Sequence, residues 1–388
     1  MKTVAVFFGG RSSEHDVSII TAHTPIIESL LATGEYDVWP VYIAKDGSWY
    51  ADKAMNNIAY FKQDGWETKI AAQKKVQILF DNGLTLVWPG LMQKTVRMDI
   101  AFPAMHGTYG EDGSLMGLLR MANVPFVGCD IFASAVAMDK ALTKQVLAAE
   151  GVPIVPFVWF TKHDWEQNTD ELKEKIVRLR WPLFVKPVHL GSSIAIAKVK
   201  DEPQLENAIE VALHYDDKVL VEESVENLIE VTLPIMGNDE PRPAGIERPF
   251  NKAEFYDFND KYLSGNKTGG GVNSQYSEIP AQIDAELAKQ VEDFGTRTYR
   301  VLGCTGIARV DFLIESERKQ VYVNEVNTLP GSLYAHNWKT VGISSVELVQ
   351  KLVAFAEERF AAHQNLTYTF DSDILKKAGI PKSPGGTA

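Results

Sequence analysis

Four polar residues in a predicted pair of strands could together hold a metal ion. The segment GIARVDFLIESERKQVYVNEVN, residues 306–327, predicts two strands joined by a polar turn. Alternation gives each strand one polar face: Arg309 and Asp311 on the first strand, Glu325 and Asn327 beside Val321 and Val323 on the second. Pairing of the strands would gather two carboxylates and an amide oxygen, which suit Mg²⁺. A solvated hairpin face with an Arg–Asp ion pair is the alternative for an isolated hairpin.

A lysine and a glycine-serine loop predict a phosphate contact. Lys186 ends the apolar run LFVKP, and the following HLGSSIA has a glycine and two serines whose backbone N–H groups can face phosphate. The chain has no GxxxxGK[ST] motif, so this is not a P-loop. A second apolar strand, VLVEE, ends in Glu222 and Glu223, which could accept the amino group of adenine. A strand-end lysine that extends to solvent, and a solvated acidic strand end, are the alternatives.

Composition excludes several classes of protein. The 388 residues are 45% hydrophobic and 23% charged, which predicts a soluble globular protein of two or three domains. A net charge of -12 argues against a nucleic-acid partner. Cys129 and Cys304 are the two cysteines, without a CxxC pattern, and no apolar run reaches the 18 residues of a membrane span. We expect a cytoplasmic protein without a targeting segment.

Alternating strand and helix patterns predict an open α/β sheet in the first part of the chain. The run TVAVFF is followed by Gly9-Gly10 and a helix that Pro25 should kink or divide. One helix is predicted from residue 131 to 150, with Lys140 within it. The capping box of Ser344 and Glu347 predicts the start of a closing helix. We predict that the chain is divided into an N-terminal domain of residues 1–128, a central subdomain of residues 129–222 and a C-terminal subdomain of residues 223–365. The C-terminal subdomain contains a glycine-rich lid loop, 256–277, and a loosely attached tail, 366–388, follows it.

Several motifs occur in a specific order. They are FFGGRSSEHDVS, HGTYGEDGSLMGLL, MDK, FVKPVHLGSS, VLVEE, FYDFNDKYLSG, ARVDF and NEVNTLPG. Their order and spacing resemble the D-alanine-D-alanine ligase family of ATP-grasp enzymes over residues 3–360. The resemblance implies three α/β domains, ATP bound between the central and C-terminal ones, and a cytoplasmic, usually dimeric enzyme. It implies the ATP-dependent joining of two D-alanines through D-alanyl phosphate for peptidoglycan synthesis.

The same resemblance implies a role for each matching residue. Nucleotide contacts fall on Lys140, Lys186, Ser193, Glu222, Glu223, Glu230 and Lys261. Two Mg²⁺ or Mn²⁺ ions are implied at Asp311, Glu325 and Asn327, and the oxyanion of the reaction faces Arg309 and the backbone of Gly331. Glu14, Ser192 and Tyr262 match a hydrogen-bonded triad, and His106 matches a residue of the first substrate site. Support of the first helix is the alternative role for Glu14, and a structural turn is the alternative for His106.

The segment after NTLPG departs from the family pattern. It reads SLYAHNW, which places Ser332 and Leu333 at a usual Met-Thr or Phe-Thr pair and His336 near a serine that helps hold the second substrate. Ala195 replaces a glycine, and the lid is longer than usual. The second substrate therefore stays open between D-alanine, another amino acid and a D-hydroxy acid. Tyr262 favours an amine acceptor. An alternative function outside the enzymes is that of an inactive nucleotide-binding regulator. The intact polar residues 309, 311, 325 and 327 argue against it.

Overall fold

A mostly parallel sheet, with one antiparallel edge strand, organises the first part of the chain in the computed structural model, which describes residues 1–250 and 277–374. Strand β1 has Val4 to Phe8 fully buried and pairs in parallel with strands on both sides, as expected of a continuous apolar run. The sheet order is β3-β2-β1-β7, and β4-β5-β6 form a separate antiparallel sheet. The strands are β1 Lys2–Gly9, β2 Tyr36–Ile43, β3 Trp49–Ala51, β4 Gln77–Phe80, β5 Leu84–Trp88, β6 Lys94–Met98 and β7 Ile100–Pro103.

The helix after β1 is divided at Pro25, as predicted. Helix α1 continues into a π-helical segment, Ala22–Ile27, in which Thr24 has non-helical dihedral angles of -123° and 107°. The α-helices of this part are α1 His15–Thr21, α2 Glu28–Thr33, α3 Trp66–Ala71 and α4 Ser114–Met121. Two 3₁₀ segments lie at Lys53–Asn56 and Ile58–Lys62.

An antiparallel sheet of order β10-β9-β11-β8 forms the central part. The prediction of one helix over 131–150 is wrong, because Asp139 has extended dihedral angles and its carboxylate instead accepts a hydrogen bond from Leu142 N at 2.8 Å. Lys140 is therefore the first residue of a new helix. The elements are α5 Ile131–Met138, α6 Lys140–Ala149, β8 Phe157–Thr161, α7 Lys162–Val177, β9 Leu183–Pro187, β10 Ala197–Val199, α8 Glu202–Tyr215 and β11 Lys218–Glu223.

A third sheet of order β13-β12-β16-β17 carries the predicted metal ligands. The predicted lid, apart from its last residue, lies outside the described residues, and so do Lys261 and Tyr262; residues 375–388 of the tail do too. The elements are β12 Leu228–Gly237, β13 Arg242–Pro243, β14 Arg248–Pro249, β15 Ser277–Glu278, α9 Ala285–Val301, β16 Gly306–Glu315, β17 Gln320–Asn327, a 3₁₀ segment Gly331–Tyr334, α10 Ala335–Thr340 and α11 Ser345–Gln364.

A bulge in β17 corrects one prediction about side-chain faces. Asp311 pairs with Glu325, but the next residue, Phe312, pairs with Val323, so Asn324 is an extra residue. Val321 and Val323 are buried in the core, whereas Glu325 lies on the opposite, polar face. The prediction that they share a face is wrong, because an extra residue inverts the alternation of the strand.

Helix α11 fixes the C-terminal sheet to the N-terminal one. It begins with the predicted capping box, in which the side chains and backbone groups of Ser344 and Glu347 bond reciprocally. Leu348 and Leu352 belong to the same buried cluster as Val4 and Val6 of β1. Within the ranges 1–250 and 277–374, no helix combines the length and apolarity required to traverse a lipid bilayer.

Candidate active site

The pair β16 and β17 brings the predicted polar residues to one place. Its register sets Asp311 opposite Glu325 and Arg309 opposite Asn327. Arg309 donates to Asp311 from Nε at 2.7 Å and from Nη2 at 2.5 Å, and Asn327 Nδ2 donates to Asp311 Oδ2 at 3.1 Å. The sequence-based expectation of a four-residue cluster is met in geometry.

The donor set of this cluster fits a hard divalent cation. Two carboxylates directly opposite each other repel, so a cation between them is stabilising. Arg309 and Asn327 already donate to Asp311, so a cation would share this carboxylate with them. Lys140 Nζ lies 3.7 Å from Glu325 Oε2, which offsets part of the charge from the other side. Asp311, Glu325 and Asn327 are thus the residues that could hold a metal ion here.

Two lysines connect this cluster with the glycine-serine loop. Lys140 Nζ donates to the carbonyl oxygen of Leu190 at 2.8 Å, at the entrance of the loop. Lys186 Nζ donates to Asn324 Oδ1, the side chain of the bulged residue, at 3.4 Å. Ser192, Ser193 and Ala195 have φ angles of 53°, 59° and 56°. Such left-handed conformations cost energy and occur where the backbone presents its N–H groups to a ligand.

Glu222 lies buried between two lysines. Its carboxylate forms an ion pair with Lys186, and its Oε2 lies 2.9 Å from Lys144 Nζ. Burial would raise the pKa of Glu222, but the charges of Lys144 and Lys186 lower it to about 2. In this arrangement both carboxylate oxygens are paired with lysines, so an adenine amino group would have to share or replace one of these contacts.

The two acids of VLVEE face different partners. Glu223 Oε1 accepts a hydrogen bond from Arg180 N at 3.0 Å, on the side away from Lys186. Glu230 lies half-buried in β12. Burial alone would lower the pKa of Lys186, but the negative charges of Glu222, Glu325 and Glu230 raise it.

Lys144 was not singled out from the sequence. Its signal is the second lysine of MDKALTK, one helical turn after Lys140.

The opposite side of the site is formed around Glu14. Glu14 immediately precedes α1, is buried, and accepts a hydrogen bond from Ser192 Oγ, which joins the first helix to the glycine-serine loop. Its side chain makes no capping hydrogen bond to α1. Gly107 approaches so closely that a Cβ there would lie 3.0 Å from Glu14 Oε2. His106 Nε2 lies 2.8 Å from Thr21 Oγ1, and burial lowers the pKa of His106 although Glu14 opposes the shift.

Glu111 is a further acid that the sequence reasoning did not single out. Its Oε2 accepts a hydrogen bond from Gly107 N at 2.7 Å. Burial, reinforced by the nearby carboxylate of Glu14, raises the pKa of Glu111 to about 8. Its signal in the sequence is the acid of the GTYGEDG turn.

The segment that departs from the family pattern lies beside Arg309. A Cβ at Gly331 would contact none of the residues that the structure describes, and Ser332 N donates to Thr21 Oγ1 at 3.2 Å. His336 Nε2 lies 2.9 Å from Glu247 Oε2. Burial would raise the pKa of Glu247, but its hydrogen bond to His336 and the charge of that residue lower it. Tyr334 contacts both Arg309 and His336. Neither Tyr334 nor Glu247 was singled out from the sequence.

Two models of one protein family match most of this chain. The family model described as D-ala D-ala ligase N-terminus matches residues 3–129, and the model described as D-ala D-ala ligase C-terminus matches residues 146–354. The D-alanine–D-alanine ligase of Chloroherpeton thalassium is 36% identical over 93% of this chain and 97% of its own. The ligase of Bacillus velezensis is 33% identical over 94% of this chain and 100% of its own.

Solved structures show the same likeness. The D-alanine-D-alanine ligase from Coxiella burnetii has a TM-score of 0.79 at 29% identity and covers 94% of this chain and 96% of its own. The VanG D-Ala:D-Ser ligase from Enterococcus faecalis has a TM-score of 0.76 at 30% identity and covers 92% of this chain and 99% of its own. These likenesses confirm the predicted α/β fold of the ATP-grasp type. The chain belongs to the D-alanine–D-alanine ligase family.

Proposed function

We propose that this chain joins two D-alanines into D-alanyl-D-alanine while it converts ATP into ADP and phosphate. The observation that carries the proposal is the convergence of Lys140 and Lys186 on the strand pair that sets Asp311 opposite Glu325. Phosphoryl transfer needs positive charge around the moving phosphate, and here two lysines, an arginine and a set of hard metal ligands meet.

In the proposed first step, a D-alanine carboxylate oxygen attacks the γ-phosphorus of ATP and gives D-alanyl phosphate and ADP. Lys140, Lys186 and the N–H groups around Ser193 hold the phosphates, while Glu222, Glu223 and Glu230 bind the nucleoside. Two Mg²⁺ ions at Asp311, Glu325 and Asn327 would supply charge that offsets the phosphate oxygens. Glu14, bonded to Ser192, holds the ammonium group of the donor, with His106 beside it.

In the proposed second step, the neutral amine of the second D-alanine attacks the acyl carbon and phosphate leaves. Arg309 and the N–H of Gly331 stabilise the oxyanion that forms on the carbonyl oxygen. Water would hydrolyse the acyl phosphate, so the site must close during the reaction. We assign this closure to the loop 256–277 with Lys261 and Tyr262, which lie almost wholly outside the described residues.

A second candidate keeps the first step and changes the acceptor. It is favoured by His336, which is paired with Glu247. The family resemblance places His336 near a serine position of the second-substrate site, and Ser332 lies in the same segment. The likeness to a D-Ala:D-Ser ligase also supports it. We favour D-alanine as acceptor because the curated relatives at 33–36% identity are D-alanine–D-alanine ligases. We also propose that the enzyme is a cytoplasmic homodimer. Within each chain, the domain boundaries are proposed to follow residues 128 and 222.

Phosphate release measured with MgATP and single or paired amino acids tests both candidates. The panel contains D-alanine, L-alanine, D-serine and D-lactate, and products are identified by mass spectrometry. Release with D-alanine alone and D-alanyl-D-alanine as product supports the proposal. Release that requires D-serine or D-lactate as a second component contradicts it in favour of the other acceptor, and release without any amino acid contradicts both.

A further inference from the structure

The ring of Tyr334 contacts two cationic or ionisable side chains. The guanidinium carbon of Arg309 lies 4.8 Å from the ring centroid, within the range of a cation–π contact. The imidazole of His336 lies 5.2 Å from the ring centroid, with the two planes inclined by 33°. Acids fix both ends of this row, since Asp311 binds Arg309 and Glu247 binds His336.

The backbone at this row is strained. Ser332, Leu333 and Tyr334 have φ angles of 48°, 52° and 48°, three successive left-handed residues that all carry side chains. Each such residue costs on the order of 1 kcal/mol or more. The strain is held because Leu333 N donates to Pro330 O at 2.9 Å and the Leu333 side chain is buried. An extended or helical path would relieve the strain, so the contacts of Leu333 maintain the placement of Tyr334.

The far end of the row is also rigidly mounted. Asn337 Nδ2 donates to Gly245 O at 2.9 Å, and the neighbouring Trp338 is 1% exposed. These contacts fix α10, which carries His336, against the segment that carries Glu247. The contacts at both ends therefore fix the position of the row Asp311, Arg309, Tyr334, His336 and Glu247.

Asp311 and Tyr334 occupy part of the space around the Arg309 guanidinium. Nε and Nη2 of Arg309 are bound to Asp311, and the Tyr334 ring covers one face of the guanidinium. At Gly331, a Cβ would meet no atom of residues 1–250 or 277–374 within 4 Å. If Arg309 and Gly331 face the oxyanion, as in the proposed function, the reacting carbonyl lies next to Arg309. The Tyr334 ring, which contacts Arg309, then lies near the position of the acceptor.

We propose that Tyr334 determines acceptor specificity, with its ring admitting acceptors that have a small side chain and excluding larger ones. The inference rests on the proposed ligase function. Replacement of the ring by a small side chain opens space for the acceptor and leaves the donor contacts at Glu14 and Ser192 unchanged. Because pocket size discriminates by roughly tenfold or more per added methylene, a change of acceptor range is measurable.

The test is a competition among acceptors. Wild type, Tyr334→Phe, Tyr334→Leu and Tyr334→Ala are given MgATP, isotopically labelled D-alanine as donor, and equal amounts of D-serine, D-2-aminobutyrate, D-valine and D-phenylalanine. Mixed dipeptides are quantified by mass spectrometry. Tyr368→Ala, a change at an exposed tyrosine far along the chain, is the matched control.

We expect Tyr334→Ala to raise the share of D-valine and D-phenylalanine products by about tenfold or more, with a smaller rise in Tyr334→Leu. Tyr334→Phe, which keeps the ring, and the control should keep the wild-type profile. Leu and Phe are retained in the design so that a poorly folded Ala variant does not decide the outcome. An active Leu or Ala variant with an unchanged acceptor profile overturns the inference. Absence of any dipeptide from the wild type would instead overturn the proposed function, and this inference with it.

Discussion

Asp311 and Glu325 lie directly opposite each other on adjacent antiparallel strands, one residue before a bulge ends the regular register. The bulge inverts the alternation of β17, so Glu325 faces Asp311 while Val323 and Val326 face the core. Two carboxylates are thereby placed together on a rigid sheet, next to Lys140. This arrangement suits a divalent cation bound to both strands, and we propose that Asp311, Glu325 and Asn327 bind it.

Removal of the Glu325 charge should abolish most of the activity. Glu325→Gln keeps the size of the side chain but removes a negative metal ligand, so we expect kcat to fall by orders of magnitude with little change in melting temperature. Steady-state phosphate release and thermal unfolding measure the two effects. Glu317→Gln, at an exposed position of the same hairpin, is the control. Turnover close to that of wild type in Glu325→Gln would refute the metal assignment.

The buried charges at Glu222 should matter for stability as well as for ATP. Glu222→Gln leaves Lys144 and Lys186 without their shared counter-charge, and loss of one partner of a buried pair costs about 3–5 kcal/mol. Denaturant unfolding measures this loss. The double variant with Lys144→Met should recover part of it, because one buried positive charge is removed. A loss below about 1 kcal/mol, typical of an exposed pair, would show that the lysines are well solvated without Glu222.

The hydrogen bond between Glu14 and Ser192 predicts non-additive kinetics. Glu14→Gln and Ser192→Ala should each lower kcat/KM for D-alanine, and the double variant should lose less than the sum of the two changes in free energy. A cycle of Glu14→Gln with Ser344→Ala, a distant helix cap, provides the additive control. Full additivity between positions 14 and 192 would mean that the two residues act independently.

The contribution of His189 to the stability of the folded protein should depend on pH. Its hydrogen bonds to Asp139 and Asp216 outweigh burial and raise the pKa of His189 from 6.5 to about 9. A pKa raised by folding stabilises the protein fully below pH 6.5, and this contribution is lost as pH rises through 9.

Melting temperatures of wild type and His189→Gln should therefore differ most near pH 6 and converge near pH 10. His163→Gln, at an exposed position, should show a small difference at every pH. A gap between wild type and His189→Gln that stays constant over this range would contradict the ion-paired histidine.

Sequence patterns predicted the strand pair and its polar residues because alternation and strand pairing are local and regular. They could not predict the face of Glu325, since the extra residue Asn324 has no distinctive local signature. The break at Asp139 was missed for a similar reason: a capping aspartate lies inside a continuous helical pattern. Its consequence is that Lys140 starts a helix beside the glycine-serine loop.

Contacts made through the tertiary structure were also beyond the sequence. Lys144 is separated from Glu222 by 78 positions, and nothing near Lys144 indicates that its ammonium group is buried against a carboxylate. Tyr334 reaches Arg309 because three residues adopt left-handed angles, and residues with side chains seldom do so. Such strained or buried arrangements depend on the surrounding packing rather than on local preference.

The transfer of oxygen from donor to phosphate tests the central claim most directly. D-alanine labelled with ¹⁸O in both carboxylate oxygens is incubated with MgATP and the enzyme, and the phosphate and peptide are analysed by mass spectrometry. An acyl phosphate intermediate predicts one ¹⁸O in each released phosphate, together with D-alanyl-D-alanine. Unlabelled phosphate, or labelled phosphate without any dipeptide, would contradict ligation through D-alanyl phosphate.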